Sequence, residues 1–151
     1  MNQEILIQQT EVERLALEHV TRALEVMLSW TVEGEGFSRK LSSLRFFTDL
    51  YQRHLERLFA LEEIDGFMES VSRLNPELKS QVDDLKREHE EFRAAVRASV
   101  VRIDRALPTQ IAEFNATCDE LRGTMDQVIE HLHRESELLV ESINRDTGGE
   151  G

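Results

Sequence analysis

The chain has 151 residues, 40% of them apolar and 32% charged, with only two prolines; this balance argues against a disordered chain or a sheet-rich fold and fits one helical domain. Its formal net charge is −12, from 30 acidic against 18 basic side chains. So acidic a surface repels phosphate backbones and anionic lipid, so no nucleic-acid or membrane partner is expected.

Cys118 is the only cysteine, which excludes an internal disulfide and suits a reducing compartment. The opening residues Met1 to Ile7 lack a basic region followed by an apolar run, and no stretch approaches the roughly 20 apolar residues needed to span a bilayer. A cytoplasmic location is the expectation.

In chain order, the first periodic segment ends at Gly34-Glu35-Gly36 and carries the stripe Val12, Ala16, His19, Ala23, Val26, Trp30. The second, up to Asp65-Gly66, carries Leu44, Phe47, Leu50, His54, Leu58, Leu61. Residues 66–74 read as a short helix across the end of the molecule. Asn75-Pro76 then starts the third segment, with asparagine placed to cap free N–H groups and proline suited to a first turn. Its stripe is Leu78, Val82, Leu85, His89, Phe92, Val96, Ile103. After Leu107-Pro108-Thr109 the fourth stripe reads Phe114, Cys118, Leu121, Met125, Val128, His131, Glu135, Leu138, and the glycine-bearing tail from Asp146 should fray. Three-and-four spacing marks amphipathic helices, and four of them on short links predict an all-α, antiparallel, up-down-up-down four-helix bundle.

Four of the five histidines fall on these stripes, one per helix. At about 1.5 Å of rise per residue each lies roughly 18 to 33 Å from the adjoining turn, so His19, His54, His89 and His131 are expected to meet at one level of the core. Glu135 lies one turn after His131 on the same face, and an ionised carboxylate facing an apolar core requires a positive partner. A metal ion supplies one, and a His/Glu pair at i, i+4 can ligate a single site. His133, about 200° round the helix from His131, should face solvent. The structural alternative for any one of these histidines is a hydrogen-bonded core residue; four in register favour a metal. Glu18, Glu88 and Glu130 read as a solvated flank, Tyr51 as either a core-edge residue or a partner of the site, Cys118 as a small core residue, and Gly123 as a point of close helix contact, a local bulge or a tolerated residue.

The elements Glu18-His19, His54 with Leu58-Phe59, Arg87-Glu88-His89-Glu90-Glu91, and His131-x-x-x-Glu135 with Leu138-Leu139 resemble those of hemerythrin-like proteins, the HHE cation-binding domains. The resemblance runs from about His19 to Glu135 and implies a hemerythrin-like bundle, expected over residues 1–146, while 147–151 are expected to form a flexible tail. It also implies metal ligands His19, His54, His89, His131 and Glu135, and iron, di-iron or mononuclear, that binds or senses dioxygen or a related diatomic. The family's second helix carries His-x-x-x-Glu, whereas Leu58 stands four residues after His54. Aligning Leu58-Phe59 with the family's apolar pair instead moves His54 toward the usual glutamate and Tyr51 toward the usual histidine, with Glu62 two turns after His54. Either way one bridging carboxylate is expected to be missing, leaving one iron, or two metals bridged by Glu135 and water. Nitrogen-rich ligation also suits zinc. The competing readings are a metal-free acidic helical module that binds a protein partner, and a metal-dependent oxidase or peroxidase.

Overall fold

The computed structural model describes residues 3–29, 35–64 and 66–148. Five α-helices make up nearly all of it: α1 (Gln3–Ser29), α2 (Glu35–Glu63), α3 (Phe67–Leu74), α4 (Lys79–Asp104) and α5 (Ile111–Gly148), with a 3-10 turn at Pro76–Leu78. No helix is long and apolar enough to cross a membrane among these residues. Trp30, Gly34, Asp65 and the last three residues of the expected tail lie outside the described set. Glu35 and Gly36, read as part of a turn, open α2, and α5 continues two residues past the expected domain end.

The four long helices form a ring in the order α1, α2, α4, α5. Cross-helix pairs give their direction. Glu63, Glu56 and Arg45 of α2 meet Arg93, Arg97 and Asp104 of α4, so one helix descends as the other rises. Glu88 and Arg102 of α4 meet Arg134 and Glu120 of α5 in the same antiparallel sense. The bundle is the expected up-down-up-down arrangement, and α3 lies across one end against α2, α4 and α5. Asn75 does not cap with its side chain: its amide donates to Ser142 Oγ of α5 at 2.7 Å, tying the start of α4 to the last helix.

Every position of the expected third and fourth stripes is buried. The first two helices are rotated relative to expectation. In α1 the buried side chains are Leu6, Leu17, Val20, Thr21, Leu24 and Leu28, while Val12 and Val26 are more than half exposed. Both stripes have helical spacing; the leucine stripe removes more apolar area from water, at roughly 25 cal/mol per Å², so it wins the core. In α2 the buried line is Phe37, Leu41, Leu44, Thr48, Tyr51, Leu55, Leu58, Phe59 and Glu62, leaving Phe47, Leu50, His54 and Leu61 on its flank.

The core has two apolar parts. The larger holds Leu17, Leu24, Leu44, Leu55, Leu58, Phe59, Phe92, Met125 and Val128, and the smaller joins Met68, Val71, Leu78, Val82, Leu85 and Leu138 under α3. His89 lies one turn from Leu85 and Glu135 one turn from Leu138, so a polar layer separates the two parts.

Candidate metal centre

That layer contains His89, His131, Glu62 and Glu135, all at most 1% exposed. Nε2 of His131 lies 2.7 Å from Glu135 Oε1, and Nε2 of His89 lies 3.0 Å from the same oxygen. Glu62 Oε2 is 3.6 Å from His89 Nε2. Donor atoms of His89, His131 and Glu135 fall within 4.8 Å of one another, a spacing that suits a common cation.

Aromatic rings fix the imidazoles. Phe59 stacks on His89 with centroids 3.7 Å apart and planes 9° apart, while Phe92 stands edge-on to His131 at 5.3 Å. Nδ1 of His89 lies 2.7 Å from Oε1 of Glu63, and Arg93 grips both oxygens of that carboxylate at 3.0 Å. This carboxylate fixes the tautomer, because Nδ1 must carry the proton it donates and Nε2 is left facing the site. Glu88, read as solvated, is held by Arg134 with Oε1 3.6 Å from His131 Nδ1.

Electrostatics within the layer are uneven. Burial works to raise the Glu135 pKa, but hydrogen bonds from His131 and His89 outweigh it and hold the group at about 2. Burial first, then the neighbouring Glu135 carboxylate, holds Glu62 well above the ordinary carboxylate range, with Arg14 opposing. Glu63 is partly buried, which works upward, yet Arg93 and His89 hold it below the usual value. Among the described residues neither oxygen of Glu62 has a hydrogen-bond partner.

These residues fit a cation. Carboxylate oxygens only accept, and a neutral imidazole has one N–H, so the two carboxylates flanking His89 call for a second proton or a metal at Nε2. Glu62, with Arg14 3.5 Å from its Oε1, turns its buried Oε2 toward His89 and offers a further donor on the imidazole side. Two imidazoles with one or two carboxylates, walled from water, form a donor set that could hold a metal ion.

The sequence-derived site is thus reassembled. His89, His131 and Glu135 are brought together. His19 is exposed on the outer side of α1, because packing the leucine stripe inward turns it out. His54 lies on the flank of α2, where Nδ1 pairs with Glu13 Oε2 at 2.6 Å, away from the cluster. His133 faces outward as its spacing requires. A carboxylate of α2 does reach the cluster: it is Glu62, four residues after Leu58 and seven after Leu55 on the buried line. Tyr51 is buried in the larger core, roughly 16 Å of helix away from Glu62, with no hydrogen-bond partner for its hydroxyl among the described residues. Arg14, which lies outside the expected stripe of α1, also joins the layer. Its guanidinium reaches Glu135 Oε2 at 3.1 Å and Glu62 Oε1 at 3.5 Å. Its signal was spacing: Arg14 precedes Leu17, Thr21, Leu24 and Leu28 by three, seven, ten and fourteen residues, the periodicity of the inward face.

Fold and site together define a four-helix bundle with a buried His/His/Glu cluster able to hold a metal ion. The family model for the hemerythrin HHE cation-binding domain matches residues 12–143, and the chain belongs to that family. No curated protein and no solved structure matches it.

Proposed function

We propose that this protein binds one non-haem iron ion through His89, His131 and Glu135, with Glu62 as a further carboxylate, and uses it to bind or sense dioxygen or a related diatomic. The observation that carries this reading is the convergence of two oriented imidazole Nε2 atoms on one buried carboxylate oxygen, in a pocket walled by Phe59 and Phe92. Two histidines and a carboxylate with open positions suit ferrous iron, which when bound supplies reversible coordination and an electron for a diatomic ligand.

The chain's own residues would do the rest. Glu63 holds the His89 ring at Nδ1, and the phenyl rings exclude bulk water. A cleft of about 380 Å³ has Arg14 and Glu62 in its wall, with apolar side chains such as Leu6, Phe67 and Leu139 beside polar Thr10, Glu11 and Ser70.

The test is anaerobic loading of the purified chain with ferrous iron, followed by elemental analysis and spectroscopy before and after oxygen. About one iron per chain, with near-ultraviolet charge-transfer bands that change on oxygenation, is the expected result. Protein that stays metal-free after loading would overturn the proposal and favour the acidic interaction module. Stable uptake of zinc with no oxygen-responsive iron form would retain the cation site and remove the diatomic role.

A further inference from the structure

We propose that Arg14 is a built-in cation that takes the place of a second metal ion in this centre and sets its capacity at one. The inference rests on the reading of His89, His131, Glu135 and Glu62 as a cation site.

The two buried carboxylates are each split between two sides. Oε1 of Glu135 faces the imidazoles, at 2.7 Å from His131 and 3.0 Å from His89, whereas its Oε2 faces Arg14 at 3.1 Å. Glu62 repeats the pattern, with Oε2 3.6 Å from His89 Nε2 and Oε1 3.5 Å from the same Arg14 nitrogen. Carboxylates so oriented bridge two positions of positive charge. One position is lined by nitrogen lone pairs and suits a metal.

The other position is filled by a guanidinium, which carries a permanent charge, donates hydrogen bonds and has no lone pair with which to coordinate. Among the described residues nothing else on that side offers a nitrogen ligand. Leu58, one turn before Glu62 on the same buried line, is fully enclosed and apolar, and His19 and His54 point elsewhere. Arg14 reaches the carboxylates along the seam between α1 and α5, where it lines two clefts of about 380 Å³ each. Its side chain is 25% exposed against 0% for both carboxylates, so the charge is delivered inward from the bundle surface.

A tethered positive charge in this position has two opposed effects. It offsets the repulsion between Glu62 and Glu135 when no metal is bound, and it repels any metal ion that enters the imidazole side. An arginine serving only as packing would have neither signature.

The experiment uses the full chain, loaded anaerobically with ferrous iron and in parallel with zinc(II). Bound metal is counted after desalting, affinity is measured against a competing chelator, and the metal-free melting temperature is recorded alongside. Wild type should hold one ion. Arg14→Gln should lower the metal-free melting temperature yet bind its ion about tenfold tighter or more, as expected when a unit charge a few ångströms away is removed from a water-poor site. Arg14→His combined with Leu58→His should hold two ions. Two ions in wild type, or parallel losses of affinity and stability in Arg14→Gln, would overturn the role of Arg14 while leaving the cation site intact. A folded double variant that held one ion would do the same. If the double variant does not fold, the single variant decides, since opposite signs for stability and affinity are diagnostic by themselves. No ion in either wild type or Arg14→Gln would overturn the cation reading and this inference with it.

Discussion

Glu63, the last residue of α2, lies with its Oε1 2.7 Å from Nδ1 of His89 on α4, and so sets which nitrogen of that ring faces the buried cluster. Arg93 in turn holds Glu63 through two contacts of 3.0 Å. Glu63→Gln keeps the shape but lets the ring adopt either tautomer. Metal affinity, measured by chelator competition, should fall roughly 10- to 100-fold, the usual cost of losing a carboxylate that orients a ligand histidine. Unchanged affinity would mean that the ring is oriented by Phe59 alone.

The histidines should separate cleanly. His131→Ala should abolish metal binding, because it removes a nitrogen 2.7 Å from the central carboxylate. His19→Ala, on the outer side of α1, should leave the metal count unchanged and shift stability by no more than about 0.5 kcal/mol. His54→Ala should also keep the metal, while losing about 1 kcal/mol with its Glu13 partner. Loss of metal in either of the last two would restore the four-histidine site. Elemental analysis with thermal melts decides.

Gly123 lies exposed inside α5, and a Cβ built there meets no atom within 4 Å. Neither close helix contact nor a bulge explains it; it is a tolerated residue. Gly123→Ala should therefore stabilise the protein by about 0.5 to 1 kcal/mol, since alanine has the higher helix propensity and restricts the unfolded chain. Urea denaturation with an unchanged slope would verify this, and a loss of stability would reveal a contact at this position.

Burial pushes the Cys118 thiol up to about 11, with Lys40 acting in the opposite direction. A thiol whose pKa is higher in the folded than in the unfolded chain ionises more readily after unfolding, so its effect is to erode stability as pH rises from about 9 toward 11. Cys118→Ala should flatten this alkaline part of the stability profile. In the native wild type at pH 8 the thiol should also react far more slowly with an alkylating reagent than in denatured chain. Equal rates would show that the core around α5 opens freely.

The bundle was legible in the sequence because its four long segments alternate with clear breaks, and because α4 and α5 each carry one apolar stripe. With a single stripe there is one way to bury it, so the pattern alone puts His89, His131 and Glu135 on the inward face. In α1 and α2 local periodicity supports two competing faces, and only packing against the other helices selects between them. The choice of Leu17, Leu24 and Leu28 over Val12, Ala16 and Val26 turned His19 outward and Arg14 inward. The shift in α2 moved His54 to the flank and brought Glu62 into the core. A charged residue on an apolar stripe carries no sign in the sequence of whether a partner awaits it. Arg14 and Glu62 meet each other across helices, 48 residues apart along the chain, so only the tertiary structure could pair them.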